Sequence, residues 1–203
     1  PGFPLAPFQV AYRYRPTVPE DNATLYQLGN GVFSANALPP YKNWDQFKPV
    51  IERGIRIRNE AFTRLSIEPP PFSSGIVRYI DAFQGPLLGE RTTREFLADV
   101  LGFKLTVPSI VEKVCTDPRQ LIPQLQLVLP VGPGQLQISL SDGQVKNQPA
   151  VIVDTSVIMN RPIATDPSSA VKELTEARNV IHDVFMQIAL PLHDYMKPIE
   201  VAT

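Results

Sequence analysis

The sequence predicts an α+β fold in which antiparallel sheets carry long helices packed on one face. Three observations support this class. Several short segments alternate between apolar and polar residues, which is typical of strands with one buried face. Two long segments repeat apolar residues every three or four positions, which is typical of amphipathic helices. Neighbouring strand segments are separated by short glycine, asparagine and proline turns, and such turns favour hairpins over parallel crossovers.

The first half of the chain contains four predicted strands and two predicted helices. The first long helix begins after Asn43, whose side chain can cap it, with Gln46 three residues later. Pro49 and Gly54 are expected to bend or interrupt this helix before it reaches Leu65. The other elements are strands at 8–15, 24–28, 32–37 and 75–84, and a short helix from Thr92 or Thr93 to Leu101.

The second half repeats this order with three strands and one long helix. The strands are predicted at 121–129, 135–141 and 149–159. Turns are expected at 131–134 and at Asp142-Gly143, the latter as a hairpin turn. The helix follows residues 165–168, and Pro191 ends or kinks it.

The order of elements suggests two similar halves, β-β-β-α-β and then β-β-β-α. We place them at residues 1–110 and 111–203, and both can still belong to one compact domain. The pattern fits a weak internal duplication, and it equally fits an ordinary antiparallel α+β chain.

Composition limits the classes of partner. The chain has 203 residues, with 19 Lys+Arg against 20 Asp+Glu and a net charge of −1. Nucleic acid is therefore not favoured as the main partner, because no excess of positive charge is present to displace counterions from phosphates. A membrane is not expected either, because no apolar run is long enough to span one. Cys115 is the single cysteine, which favours a reducing, cytoplasmic location.

Common catalytic and cofactor motifs do not occur in the sequence, so we expect no cofactor, no metal and a non-enzymatic protein. The two histidines, His182 and His193, are eleven residues apart on one predicted helix. That spacing is about 16 Å along the axis, too far for both to hold one metal ion. Cys115 follows an apolar stretch and is interpreted as a structural, buried thiol.

Five charged or aromatic residues are the candidates for a binding site: Arg58, Arg78, Tyr79, Asp81 and Asp154. Strand alternation places Arg78 on one face with Ile76 and Ile80, and Asp81 on the other. One interpretation is a pocket for an anion or small molecule. The other interpretation is structural, with an ion pair or snorkelling side chains for the arginines. Asp154 lies within an apolar strand, so it is either a functional acid or an acceptor for main-chain N–H groups of a neighbouring turn.

The predicted first strand alternates Tyr12 and Tyr14 with Arg13 and Arg15. Interleaved aromatic and basic residues can bind single-stranded nucleic acid. An edge strand with arginines facing water explains the pattern equally well, since charges on an edge discourage unwanted pairing.

Several blocks of the sequence resemble an uncharacterised protein family that is distributed sporadically among bacteria and archaea. The resemblance covers most of the chain and is strongest over 25–81. It consists of residues 25–29 (LYQLG), 31–36 (GVFSAN), Pro40-Tyr41, Trp44 with Phe47, the strand Arg78-Tyr79-Ile80, the acidic strand at Val153-Asp154, and His182 with Phe185 in the last helix. Asp81 stands where the family commonly has asparagine. The family implies no activity, cofactor or catalytic residue, and its distribution is compatible with mobile elements, toxin–antitoxin pairs or phage defence.

These observations favour a protein that binds another protein or itself, in an antitoxin-like, chaperone-like or defence-associated role. Strands such as 121–129 could extend a sheet by strand addition. The alternative is a small-molecule or anion-binding protein, or an enzyme, that uses the five candidate residues around one pocket.

Overall fold

The computed structural model describes residues 9–15, 23–39, 41–117 and 120–196. It contains 36% helix and 34% strand in antiparallel sheets of three and four strands, which confirms the predicted α+β class. The chain divides into two compact units. The first comprises Pro1–Phe72 and Ile163–Glu173, and the second comprises Ser73–Pro162 and Leu174–Thr203.

The first unit contains a three-stranded antiparallel sheet and a long helix. The strands β1 (Val10–Tyr14), β2 (Thr24–Gly29) and β3 (Val32–Ala37) lie in that order. The predicted strand began at Phe8, which lies outside the described residues. β1 is an edge strand of this sheet, as the second interpretation of its arginines requires.

Helix α1 (Trp44–Arg64) begins where its cap predicts. The side chain of Asn43 accepts a hydrogen bond from the main-chain nitrogen of Gln46 at 2.9 Å. Of the two expectations for Pro49 and Gly54, the interruption is wrong, because α1 is one continuous helix, and the bend stays a prediction. Pro49 removes one main-chain hydrogen-bond donor, and the helix continues despite this loss.

Gly54 allows α1 to approach the sheet of the first unit. A β-carbon added at Gly54 would lie 2.5 Å from Cε1 of Tyr26 and 2.9 Å from Cζ of Phe33. The hydroxyl of Tyr26 donates to the carbonyl oxygen of Val50 at 2.7 Å, which fixes the ring against the helix. Gly54 therefore allows α1 to pack closely against the rings of Tyr26 and Phe33.

The second unit contains a four-stranded antiparallel sheet. Its strands are β4 (Gly75–Gln84), β5 (Leu125–Val131), β6 (Gly134–Val145) and β7 (Gln148–Met159), in the spatial order β4-β7-β6-β5. The two hairpins β5-β6 and β6-β7 form three neighbouring strands, and β4 pairs with β7 over its whole length.

Helical residues pack against one face of this sheet. The helical elements are α2 (Thr93–Glu95), which continues as a π-turn over Phe96–Val100, then α3 (Ser109–Val114), α4 (Pro167–Ile188) and a 3₁₀ turn at Leu190–Leu192. The ring of Phe83 on β4 lies 5.4 Å from that of Phe96 and 6.3 Å from that of Phe185 on α4. Alternate residues of β6 and β7 are buried on this face, so it forms the core of the unit.

The hairpin turn predicted at Asp142-Gly143 is wrong. Both residues lie inside β6, and the turn occurs at Lys146-Asn147, whose φ angles are 51° and 62°. The carboxylate of Asp142 instead accepts a hydrogen bond from the Thr93 hydroxyl at 2.8 Å. The strand thus extends past the stronger turn signal to a weaker one, because the longer hairpin gains further ladder pairs with β7.

The predicted halves at 1–110 and 111–203 do not have the same boundaries as the two units. β1–β3 with α1 and β5–β7 with α4 do follow the repeated order β-β-β-α. β4, however, belongs to the second unit through its pairing with β7. Whether the halves arose by duplication stays a prediction.

Candidate functional site

Arg78 and Asp154 form an ion pair on the face of the second sheet opposite its core. Asp154 on β7 is the register partner of Ile80 on β4, so it lies diagonally across from Arg78. Nε of Arg78 donates to Oδ1 of Asp154 at 2.8 Å, and Nη2 donates to Oδ2. This hydrogen-bonded carboxylate raises the pKa of Arg78. The arrangement is the structural ion pair of the second interpretation.

Tyr79 and Asp81 lie on the other face of β4, which carries the core. Their register partners are Thr155 and Val153, both buried. Asp81 is half-buried among apolar residues, and this desolvation raises the pKa of its carboxyl group to about 6. The sheet therefore separates Arg78 and Asp154 from Tyr79 and Asp81, and the four side chains do not surround one pocket.

Arg58 belongs to the first unit and is engaged within it. Its guanidinium group donates to the carbonyl oxygen of Pro70 at 2.6 Å and to Oδ1 of Asn59 at 2.9 Å. It also lies 4.2 Å from the ring centre of Phe72 and 5.1 Å from that of Phe62. Burial lowers the pKa of Arg58. Arg58 therefore fastens the segment after α1 to the helix.

Two surface grooves contain none of the five candidates. One lies along α1 and is lined by residues that include Arg56, Glu60 and Arg64. The other lies at the end of β4, where Gln84 and Tyr195 are among its lining residues. Oε1 of Gln84 is buried there without a hydrogen-bond partner. The grooves give no support to a site built from the predicted residues.

The two histidines and the cysteine have different surroundings. The described part of the chain contains no group of three or more histidine, cysteine, aspartate or glutamate side chains that could hold a metal ion. His182 is exposed, whereas Nε2 of His193 is buried without a hydrogen-bond partner. Cys115 is half-buried rather than buried, and its thiol lies 3.2 Å from the carbonyl oxygen of Asp117.

The face of the second sheet that carries the ion pair, here called the open face, is poor in charge. Among the side chains that β4–β7 place on it, Arg78 and Asp154 are the charged ones, and they neutralise each other. Its apolar members include Ile76, Ile80, Val128, Ile152 and Ile158, and its uncharged polar members include Gln126, Gln135, Gln137, Ser139, Ser141 and Ser156.

Large apolar side chains of the open face are exposed. The exposed fraction is 59% for Ile76, 60% for Ile80 and 50% for Val128. A solvent-facing sheet surface ordinarily carries polar and charged residues at such positions. Depletion of charge around exposed apolar groups is instead characteristic of the centre of a protein interface.

The open face was not predicted as a unit, although the signal for it is present in the sequence. Alternation placed Arg78, Ile76 and Ile80 on one face of β4, but the candidate site was built from charged and aromatic residues. Counting charges at alternate positions of all four strands would have revealed the depletion. This count requires the order of the strands, which the sequence alone did not supply.

Comparison with family models, with curated proteins and with solved structures finds no match to this chain. Among the residues that the structure describes, no helix has both the length and the apolar character needed to cross a membrane.

Proposed function

We propose that this protein is a non-enzymatic interaction protein that binds a partner protein through the open face. The observation that carries the proposal is the charge-depleted surface across four strands, with Ile76, Ile80 and Val128 exposed on it. Burying such apolar groups against a partner is favourable by about 25 cal/mol per Å² of area removed from water.

The ion pair fits this role because it leaves the open face neutral. The two oxygens of the Asp154 carboxylate accept hydrogen bonds from Nε and Nη2 of Arg78. A partner can then cover the pair without supplying a compensating charge, and a satisfied pair costs less to bury than a lone arginine. We further propose that the interaction serves an antitoxin-like, chaperone-like or defence-associated role, which rests on the family resemblance.

The anion-binding alternative has weaker support. Arg58 and Arg78, the two cations on which it depends, are both engaged by groups of the protein itself. An incoming anion would have to displace the Asp154 carboxylate or the Pro70 carbonyl.

Gln137→Glu tests the proposal. Gln137 is a half-buried residue near the centre of the open face, on an inner strand of the sheet. The cation of the open face, Arg78, is already paired with Asp154, so an added carboxylate would be buried against the partner at a cost, and we expect the dissociation constant to rise at least about tenfold. The partner is first identified by affinity capture from the native host, and its affinity for purified wild type and variant is then measured by calorimetry.

Gln144→Glu is the matched control. It makes the same change in the same strand, but at an exposed position near the hairpin end and on the opposite face. We expect its affinity to equal that of the wild type. A partner that binds both variants with unchanged affinity would show that the open face is not the interface.

A further inference from the structure

The hairpin turns fix which main-chain amides of the second sheet point outward. Val131 and Gly134 flank a two-residue turn, so they form a hydrogen-bonded pair and the pairs alternate from there. Val145 and Gln148 fix the phase between β6 and β7 in the same way. Following the register across the sheet leaves the amides of Gln126 and Val128 pointing outward from β5. On β4 it leaves those of Ile76, Arg78, Ile80, Ala82 and Gln84 outward.

The free edge of β5 contains a proline that hinders pairing with a further strand. Pro130 falls in the outward phase of β5, so its missing N–H removes one donor from the free edge and none from the ladder with β6. Proline at such positions is one of the ways in which proteins prevent a sheet from extending.

The β4 edge carries no comparable device. Its ten residues pair with β7 without a register shift, and they include neither proline nor lysine. Four of its five outward residues are exposed, and the fifth, Gln84 at the end of the strand, is half-buried. The one cation among them, Arg78, is neutralised by Asp154. The two edges of this sheet therefore differ. Among the described residues, β4 is the edge strand of this sheet that has no proline or lysine to hinder pairing with a further strand.

We propose that the β4 edge binds the β4 edge of a second copy of this chain, antiparallel, about a two-fold axis at Tyr79. This register pairs Ile76 with Ala82 of the second copy, and Arg78 with Ile80 of the second copy. It pairs the four exposed outward residues with one another and places no like charges opposite, whereas an axis at Arg78 would oppose two arginines.

Charge supports a second copy as the occupant. Each edge is neutral, and the whole chain carries a net charge of only −1, so two identical surfaces approach without appreciable repulsion. The joined strands form one eight-stranded sheet, and they bury less area than the roughly 1,600 Å² of a standard interface. The dimer is accordingly weak, with a dissociation constant on the order of micromolar.

This dimer uses the edge of the sheet, whereas the proposed function uses its open face, so either can fail without the other. The test is sedimentation velocity of the purified full chain from about 1 to about 200 µM. We expect a concentration-dependent monomer–dimer equilibrium for the wild type. A sedimentation coefficient that stays monomeric over this range would overturn the proposal.

Ile80→Pro and Val128→Pro form a matched pair of variants. Each removes one outward N–H at an exposed position of an edge strand and leaves the existing ladder intact. We expect Ile80→Pro to be monomeric throughout the range and Val128→Pro to dimerise like the wild type. The reverse result would move the interface to β5, and a dimer that survives Ile80→Pro would exclude the β4 edge.

Ile80→Lys and Val128→Lys repeat the comparison with a charge instead of a proline, because a proline can also perturb folding. Circular dichroism monitors the folding of all four variants.

The position of the axis is tested by Tyr79→Cys in a Cys115→Ser background. In the proposed dimer, residue 79 of one copy and residue 79 of the other form a close, non-hydrogen-bonded pair. We expect an intermolecular disulfide for Tyr79→Cys but not for Asp81→Cys, which lies off the axis.

Discussion

Asp81 shows how one residue can be understood only after the fold is known. It lies on the core face of β4, where its carboxyl group is partly removed from water. Desolvation raises the pKa to about 6, so the ionised form destabilises the folded state.

We expect Asp81→Asn to raise the free energy of unfolding by about 1–2 kcal/mol at pH 8, after allowance for solvent screening. The carboxyl group is harmless below its unfolded pKa of about 4 and becomes destabilising as pH rises through about 6. The gain of the variant should therefore shrink below pH 6 and vanish near pH 4. Urea unfolding at several pH values measures it.

Asp183→Asn, a change at an exposed position of α4, serves as the control and should have little effect at any pH. A gain for Asp81→Asn that is the same at pH 4 and pH 8 would show that desolvation of the carboxylate is not its cause.

At the scale of elements, α1 depends on a glycine that helix propensity alone would replace. Gly54→Ala should gain about 1 kcal/mol of helix propensity. The added methyl group would collide with the rings of Tyr26 and Phe33, and Tyr26 is held by its bond to Val50. We expect a net loss of about 1–3 kcal/mol in thermal or urea unfolding.

Ala61→Gly in the same helix gives the propensity term by itself, because Ala61 is exposed. It should destabilise by about 1 kcal/mol. Stabilisation by Gly54→Ala would mean that α1 can move away from the sheet at no cost.

Most elements could be predicted from the sequence because their signals are local. β4 was predicted at its observed bounds, since alternation and flanking breaks define it. The Asn43 cap and the capping box of Thr92 and Glu95 likewise involve residues three apart. The turn at Asp142-Gly143 was predicted wrongly, because the choice between two turns depends on pairing with β7 and on the contact with Thr93.

At the scale of the whole molecule, the partnership of β4 and β7 could not be predicted from the sequence. Ile80 and Asp154 are register partners far apart along the chain, and nothing local marks one for the other. The same long-range order assembles the open face and places Asp154 beside Arg78. Alternation along β4 predicted that Arg78 and Asp81 lie on opposite faces, but the contact of Arg78 with β7 was not predicted.

The overall charge of the molecule bears on the nucleic-acid alternative. Tyr12 and Tyr14 are exposed on β1 with their rings stacked 6.4 Å apart, and alternation directs Arg13 and Arg15 to the other face. With a net charge of −1, we expect no salt-sensitive retention on immobilised single-stranded DNA. Arg13→Ser with Arg15→Ser should elute at the same salt concentration as the wild type, and earlier elution of the variant would revive the alternative.

The pairing of β4 with β7 also has a consequence for synthesis on the ribosome. Ile80 and Asp154 are register partners, and Ile80 is translated 74 residues earlier (154 − 80 = 74). At about 5–20 residues per second, β4 waits roughly 4–15 s for the strand that completes its ladder. During that interval both of its edges are unpaired and its isoleucines are uncovered. The nascent chain is thus most exposed to aggregation, and most in need of a holding chaperone, while β5 and β6 are being made.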